Sequence, residues 1–146
     1  MNNLLTIVTP VFNAGKSLSV TLESISSENT SKVNHLFLDS ESKDNTPNII
    51  NDYIEKGVID SKCITEKDNG IYDALNKSMF LSKSKYIMIL HSGDVMNISI
   101  NDLVDVIELN DGYDIYAFSG GFSEDNGIRF WKRTEKHILS LSSPSY

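Results

Sequence analysis

Strand-like and helix-like stretches alternate from the first residues onward, and that alternation constrains the fold more than any other feature. Residues 4 to 12, LLTIVTPVF, are β-branched and almost continuously apolar, as a strand covered on both faces must be. Asn13, Ala14 and Gly15 form a turn, after which Leu18, Leu22 and Ile25 recur at helical spacing and predict a helix over 16–27. HLFLD, residues 35 to 39, reads as a second strand, followed by the polar loop SESKDNTP. Thr46 as N-cap with Pro47 at the first helical position opens a helix whose stripe is Ile49, Ile50, Tyr53 and Ile54 and which Gly57 closes. KCIT (62–65) is a weaker third strand. Ile71, Leu75 and Met79 mark the core stripe of a third helix. KYIMIL (85–90) is a fourth strand, Leu103, Val106 and Ile107 mark a fourth helix, and DIYAFS (114–119) is a fifth strand. EDNG, residues 124 to 127, reads as a hairpin turn leading into IRFWKR.

Such an order predicts an α/β layer structure around a mostly parallel sheet. At 146 residues the chain is expected to be one domain, 1–146, large enough to bury a core without a disulfide or structural metal. Cys63 is the only cysteine, so no internal disulfide is available, which favours a reducing compartment. No run of eighteen apolar residues is present, and the N-terminus lacks the basic segment of a signal peptide. A net charge of −7 argues against a broad nucleic-acid surface and against adhesion to anionic lipid.

In sheets of this kind ligands bind beyond the carboxyl ends of the strands. Those ends carry Thr9, Pro10, Phe12 and Asn13; then Asp39, Ser40, Glu41 and Asp44; then Glu66, Asp68, Asn69 and Gly70; and finally His91, Ser92, Gly93 and Asp94. Carboxylates gathered on one edge repel one another unless a cation or a donor-rich ligand lies among them. Asp39 can accept N–H groups of a nucleobase, Asp94 can ligate a divalent metal, and Gly93 allows close backbone approach. Each residue also has a plainer reading. Asp68 or Asn69 can cap a helix, Asp44 with Asn45 can make an Asx turn, and His91 can be a satisfied strand-end histidine. Asp73 and Asn76, at i and i+3, can be a solvated helix face.

Taken in order, VTPVFN, DSESKDNT, DNGIYDALNK and ILHSGD resemble family-2 glycosyltransferases of the GT-A fold, in the branch that builds bacterial cell-surface polysaccharide. The resemblance spans roughly residues 4 to 122 and implies a Rossmann-like three-layer α/β/α domain. It implies that Thr9, Pro10 and Phe12 line a nucleotide pocket and that Asp39 binds the base. It places Asp68 and Gly70 beside base and ribose, Asp73 and Asn76 near the sugar or diphosphate, and Ser92-Gly93-Asp94 at the metal element, with Asp94 holding Mg²⁺ or Mn²⁺. The first aspartate of the usual Asp-x-Asp element is replaced by Ser92, and the base loop has Ser40 where many relatives carry another acid.

The implied reaction is inverting transfer of a sugar from a nucleoside-diphosphate donor to the hydroxyl of a saccharide or lipid-linked acceptor. The implied location is cytoplasmic or at the inner face of the membrane, which leaves peripheral membrane contact open. Relatives run on into an acceptor-binding half that carries the general base, so the chain is expected to be truncated at its C-terminus, and the catalytic base is unknown. Glu124 and Asp125 read as turn residues. A nucleotide-sugar-binding module without catalysis is the first alternative. A sugar-nucleotide pyrophosphorylase would need a loop richer in Gly, Arg and Lys after the first strand than TPVFNAGKS, and a receiver-like domain would not end that strand in proline.

Overall fold

The computed structural model describes residues 3–25, 31–116, 118, 120–124 and 127–131. Contacts divide the chain into two compact units, Met1–Asp105 and Val106–Tyr146. In the first unit β1 (Leu5–Val11), β2 (Val33–Asp39), β3 (Asp60–Thr65) and β4 (Tyr86–Ile89) alternate with α1 (Leu18–Ser24), α2 (Thr46–Lys56) and α3 (Ile71–Leu81). Helix α4 (Ile100–Leu109) follows. The second unit contains an antiparallel pair, β5 (Gly120–Glu124) and β6 (Gly127–Trp131), in which Glu124 lies opposite Gly127. This pairing agrees with the hairpin read at 124–127.

The four strands form one parallel sheet in the order β3-β2-β1-β4. The chain therefore steps outward from β1 to β3 and then returns past β1 to place β4. Right-handed crossovers put helices of opposite travel on opposite faces. Accordingly α1 packs on α2, whereas α3 lies over β1 and β2. The sheet is thus the α/β/α sandwich expected from the sequence.

Strand β1 lies between β2 and β4 and is buried on both sides, which explains its almost continuous apolar run. On the α3 side Val8, Leu36, Leu38 and Ala74 pack together with Ile64. On the α1/α2 side the rings of His35 and Phe37 stand 4.0 Å apart, and Tyr53 of α2 meets Phe37 edge-on at 5.7 Å. His35 is fully buried. Its Nε2 lies 2.8 Å from Thr9 Oγ1 and its Nδ1 3.4 Å from the Tyr53 hydroxyl. Burial lowers the His35 pKa from 6.5 to about 3 and raises that of Tyr53 to about 12, because each charged form would lose its water.

Three sequence expectations are corrected. The core stripe of α3 is not Ile71, Leu75 and Met79. Ala74 and Ser78 are the buried residues, while Ile71 and Met79 are exposed. Two small side chains let the helix lie close on the sheet, and the larger apolar ones are displaced to its flank. The N-cap of α2 is Asn45, one residue before Thr46, because the Thr46 hydroxyl is engaged by the turn after β1. Residues 114–116 and 118 are not a strand. The Tyr116 hydroxyl bonds to the carbonyls of Ile107 and Asn110 and holds this segment against the end of α4 instead.

Candidate functional site

Two loops at the carboxyl edge of the sheet are joined by hydrogen bonds between residues about thirty positions apart. Asn13 N–H donates to Ser42 Oγ (2.9 Å), Lys43 N–H to Asn13 Oδ1 (2.8 Å), and Ala14 N–H to Thr46 Oγ1 (2.8 Å). Asp44 completes the join. Its Oδ2 accepts Gly15 N–H at 2.9 Å, and its Oδ1 accepts both the N–H and the hydroxyl of Thr46, at 3.0 and 2.5 Å. The Thr46 donors, followed by Gly15, hold the Asp44 carboxyl below its ordinary range. A Cβ on Gly15 would stand 3.0 Å from Asp44 Oδ2, so a larger residue there would push the Asp44 carboxylate aside by a few tenths of an ångström. Asp44 is therefore a structural turn residue that also reaches across to the first loop.

The join fixes one wall of a cleft of about 580 Å³. Pro10, Val11 and Phe12 at the end of β1, with Ser40, Glu41 and Lys43 after β2, make that wall. Lys67, Asp68 and Gly70 after β3, with Ile71 and Ala74 of α3, face it. Glu41 adopts a φ of 54°, a conformation that costs a non-glycine residue of order 1–3 kcal/mol. Its neighbours over-determine it, since Ser40 N–H donates to Val11 O at 3.0 Å and Ser42 N–H to Asp39 Oδ1 at 3.1 Å. Ser40 Oγ also accepts Asp68 N–H at 3.3 Å, which ties the two walls together. Phe12, at the end of β1, is 65% exposed.

Of the residues singled out in the sequence, Pro10, Phe12, Asp68 and Gly70 are brought into this cleft. Asp39 is 2% exposed and lies behind it, in a small hollow shared with Glu66, Asp68 and Lys77. Asp39 Oδ1 is taken by Ser42, while Oδ2 has no partner among the described residues. Thr9 points to the other face of the sheet and is bound to His35. Asp73 accepts Asn69 N–H at 3.0 Å and pairs with Lys77 at 3.3 Å. The Asn69 bond, then Lys77, lowers the Asp73 pKa, and Glu66 at 3.0 Å leads in raising that of Lys77. Asp73 and the exposed Asn76 do not line the cleft. Neither Asp68 nor Asn69 caps α3. Gly70 is the N-cap, with Asp68 Oδ1 accepting its N–H at 3.0 Å.

The tip of β4 is anchored to α1. Gly93 N–H donates to Thr21 Oγ1 at 2.8 Å, and Ser92 Oγ lies 2.6 Å from Ser17 Oγ. Asp94 is exposed there and accepts His91 N–H at 3.3 Å. Ser92, Gly93 and Asp94 are not among the residues lining the cleft. No group of three or more His, Cys, Asp or Glu side chains is placed to hold a metal among the described residues. A single exposed carboxylate suits Mg²⁺ or Mn²⁺ only when phosphate oxygens and water supply the remaining ligands.

Sequence reasoning placed Val11, Ser40, Glu41 and Lys43 at the strand ends without giving them a role, and missed Lys67, Ile71 and Ala74 as cleft residues. All lie within or beside the four quoted blocks. Ile71 was assigned to the core because its spacing matched the helical repeat.

A family model described as glycosyl transferase family 2 matches residues 6–144. No curated protein matches the chain. Among solved structures, residues 1–349 of S. aureus TarS in complex with UDP-GlcNAc align with a TM-score of 0.61 at 17% identity, over 72% of this chain and 30% of that one. The same TarS segment with UDP aligns with a TM-score of 0.59 at 17% identity, over 73% of this chain and 32% of that one. The mannosyltransferase PcManGT from Pyrobaculum calidifontis, in complex with GDP-Man and Mn²⁺, aligns with a TM-score of 0.58 at 18% identity, over 76% and 33%. The chain thus spans about a third of the length of these neighbours, whose shared feature with it is the GT-A-like fold.

Proposed function

Because the chain belongs to glycosyl transferase family 2, we propose that its cleft binds a nucleoside-diphosphate sugar whose sugar is transferred, with inversion, to an acceptor hydroxyl. The observation that carries this reading is the 580 Å³ cleft itself, at the carboxyl edge of a parallel sheet, with apolar walls and a few convergent polar groups. Its size suits a nucleotide. UDP-GlcNAc in TarS and GDP-Man in PcManGT support a donor of this class.

In the proposed complex the base lies against Phe12 and Pro10. Asp39 Oδ2, buried behind the cleft and without a partner among the described residues, would accept an N–H of the base, since a buried acceptor calls for a partner. Asp68 and Gly70 border the ribose. Thr9 shapes the pocket from behind, by holding β1 through His35. Asp73 and Asn76 stand near the sugar or diphosphate, with Asp73 also setting the turn into α3. Ser92 and Gly93 position Asp94 at the β4 tip, where it would hold Mg²⁺ or Mn²⁺ together with the donor's phosphates. Such an ion offsets the charge that develops on the leaving diphosphate. The acceptor hydroxyl, of a saccharide or lipid-linked saccharide in surface-polysaccharide synthesis, loses its proton to a general base as it attacks. The location proposed is the cytoplasm, including the inner face of the membrane. No helix among the described residues is long and apolar enough to cross one.

Thermal-shift measurement with UDP-, GDP- and dTDP-sugars, with and without Mn²⁺, tests the proposal. Stabilisation by one donor class, with release of free sugar or transfer, supports the enzyme. Stabilisation without turnover reduces the chain to a donor-binding module, and no response across the panel rejects both.

A further inference from the structure

A protein of net charge −7 repels an anionic ligand at a distance, so a site for one needs local compensation. The walls of the cleft supply it. They carry two lysines, Lys43 and Lys67, against two acids, Glu41 and Asp68, so the cleft is locally balanced in a chain where acids exceed bases by seven.

The two lysines also differ from Lys77 nearby. Its ammonium is committed to Glu66 at 3.0 Å and Asp73 at 3.3 Å. The ammonium groups of Lys43 and Lys67 make no ion pair or hydrogen bond among the described residues, although acids share the wall with them. Each backbone makes a hydrogen bond to a neighbouring element. Lys43 N–H donates to Asn13 Oδ1 at 2.8 Å, and the Lys67 carbonyl accepts from Lys77 Nζ at 3.5 Å. Two cations without a partner among the described residues thus border one cavity from opposite loops. One acid of the wall is partly spent, since Asp68 Oδ1 already accepts Gly70 N–H.

We propose that Lys43 and Lys67 are the anion-steering pair of the cleft, attracting the negatively charged donor to it and contributing to a preference for phosphorylated over unphosphorylated nucleosides. This rests on the reading of the cleft as a donor site. Capture by exposed ammonium groups acts through the electrostatic field, so it strengthens as salt is removed.

The test is calorimetric titration of UDP and GDP, and of uridine and guanosine, at low and high ionic strength. The proteins are the wild type, Lys43→Gln/Lys67→Gln, Lys43→Arg/Lys67→Arg, and the control Lys56→Gln/Lys62→Gln. The control makes the same change in net charge at positions that do not line the cleft. At low salt the Gln pair at the cleft should weaken binding of the preferred diphosphate roughly tenfold or more. It should flatten the salt dependence and leave nucleoside binding unchanged. The Arg pair should retain affinity, and the control should behave as wild type. Wild-type diphosphate binding matched by the cleft Gln variant, or an equal loss in the control, overturns the role of the pair and leaves the donor site standing. A wild type that binds neither diphosphate overturns the donor-site reading and the lysine role with it.

Discussion

Between pH 6.5 and about 4.5 His35 should make the folded chain less stable as acid is added. His35 is fully buried between Thr9 and Tyr53, and its pKa falls from 6.5 to about 3. Because the folded pKa is the lower one, the unfolded chain binds the proton first. The penalty is therefore absent above pH 6.5 and grows as pH falls toward 3. Between those limits each pH unit costs about 1.4 kcal/mol. From pH 6.5 to about pH 4.5 the histidine alone should remove roughly 2.7 kcal/mol, a large part of the 5–15 kcal/mol typical of a domain. Urea unfolding of wild type and His35→Gln across this range isolates the term, because all other titrating groups are common to both. The variant is expected to be the less stable at neutral pH, having lost ring packing against Phe37, but its curve should be flatter in acid by this amount. Parallel curves between pH 6.5 and 4.5 would refute the reasoning, and with it the burial of a neutral imidazole under β1.

Three further outcomes are expected. Asp39→Ala should weaken nucleotide affinity by roughly 1–3 kcal/mol, measured by titration, and equal affinity would remove Asp39 from base recognition. Asp94→Ala should abolish the Mn²⁺ dependence of donor binding without changing the melting temperature, because the side chain is exposed and makes one weak bond; a variant that keeps the dependence takes Asp94 out of the metal site. Ala74→Leu should cost roughly 1–3 kcal/mol by overpacking against Val8, Leu36 and Leu38. It should also lower donor affinity by shifting α3 and the Gly70–Ile71 wall, and wild-type stability together with wild-type affinity would contradict the close seating of that helix.

The sheet was legible because parallel strands buried on both faces are rich in apolar residues, as β1 is nearly throughout and β2 is at Leu36, Phe37 and Leu38. Thr46-Pro47 and Gly57 similarly bracketed α2 to within one residue. The helix α3 was misjudged at the level of faces. Periodicity ranks side chains by hydrophobicity, whereas the sheet selected for small size, taking Ala74 and Ser78 and leaving Met79 outside. The cleft was legible as blocks but not as walls. Its lining depends on which loops hydrogen-bond to which, and Ser42, Asp44 and Thr46 declare their partners only in three dimensions. Lys43 lay at the tip of the second strand without a role and Lys67 carried no signal, because a lysine in a polar loop reads as solvated surface.

The loop that follows β1 and the one that follows β2 hold each other's shape through donors and acceptors that belong to neither loop alone. The wall therefore cannot exist as a local fragment. It comes into being only after β1, β2 and the start of α2 have found one another. A nucleotide occupying it would report on the assembly of these three elements together, and its stabilisation would spread across them as a single cooperative block.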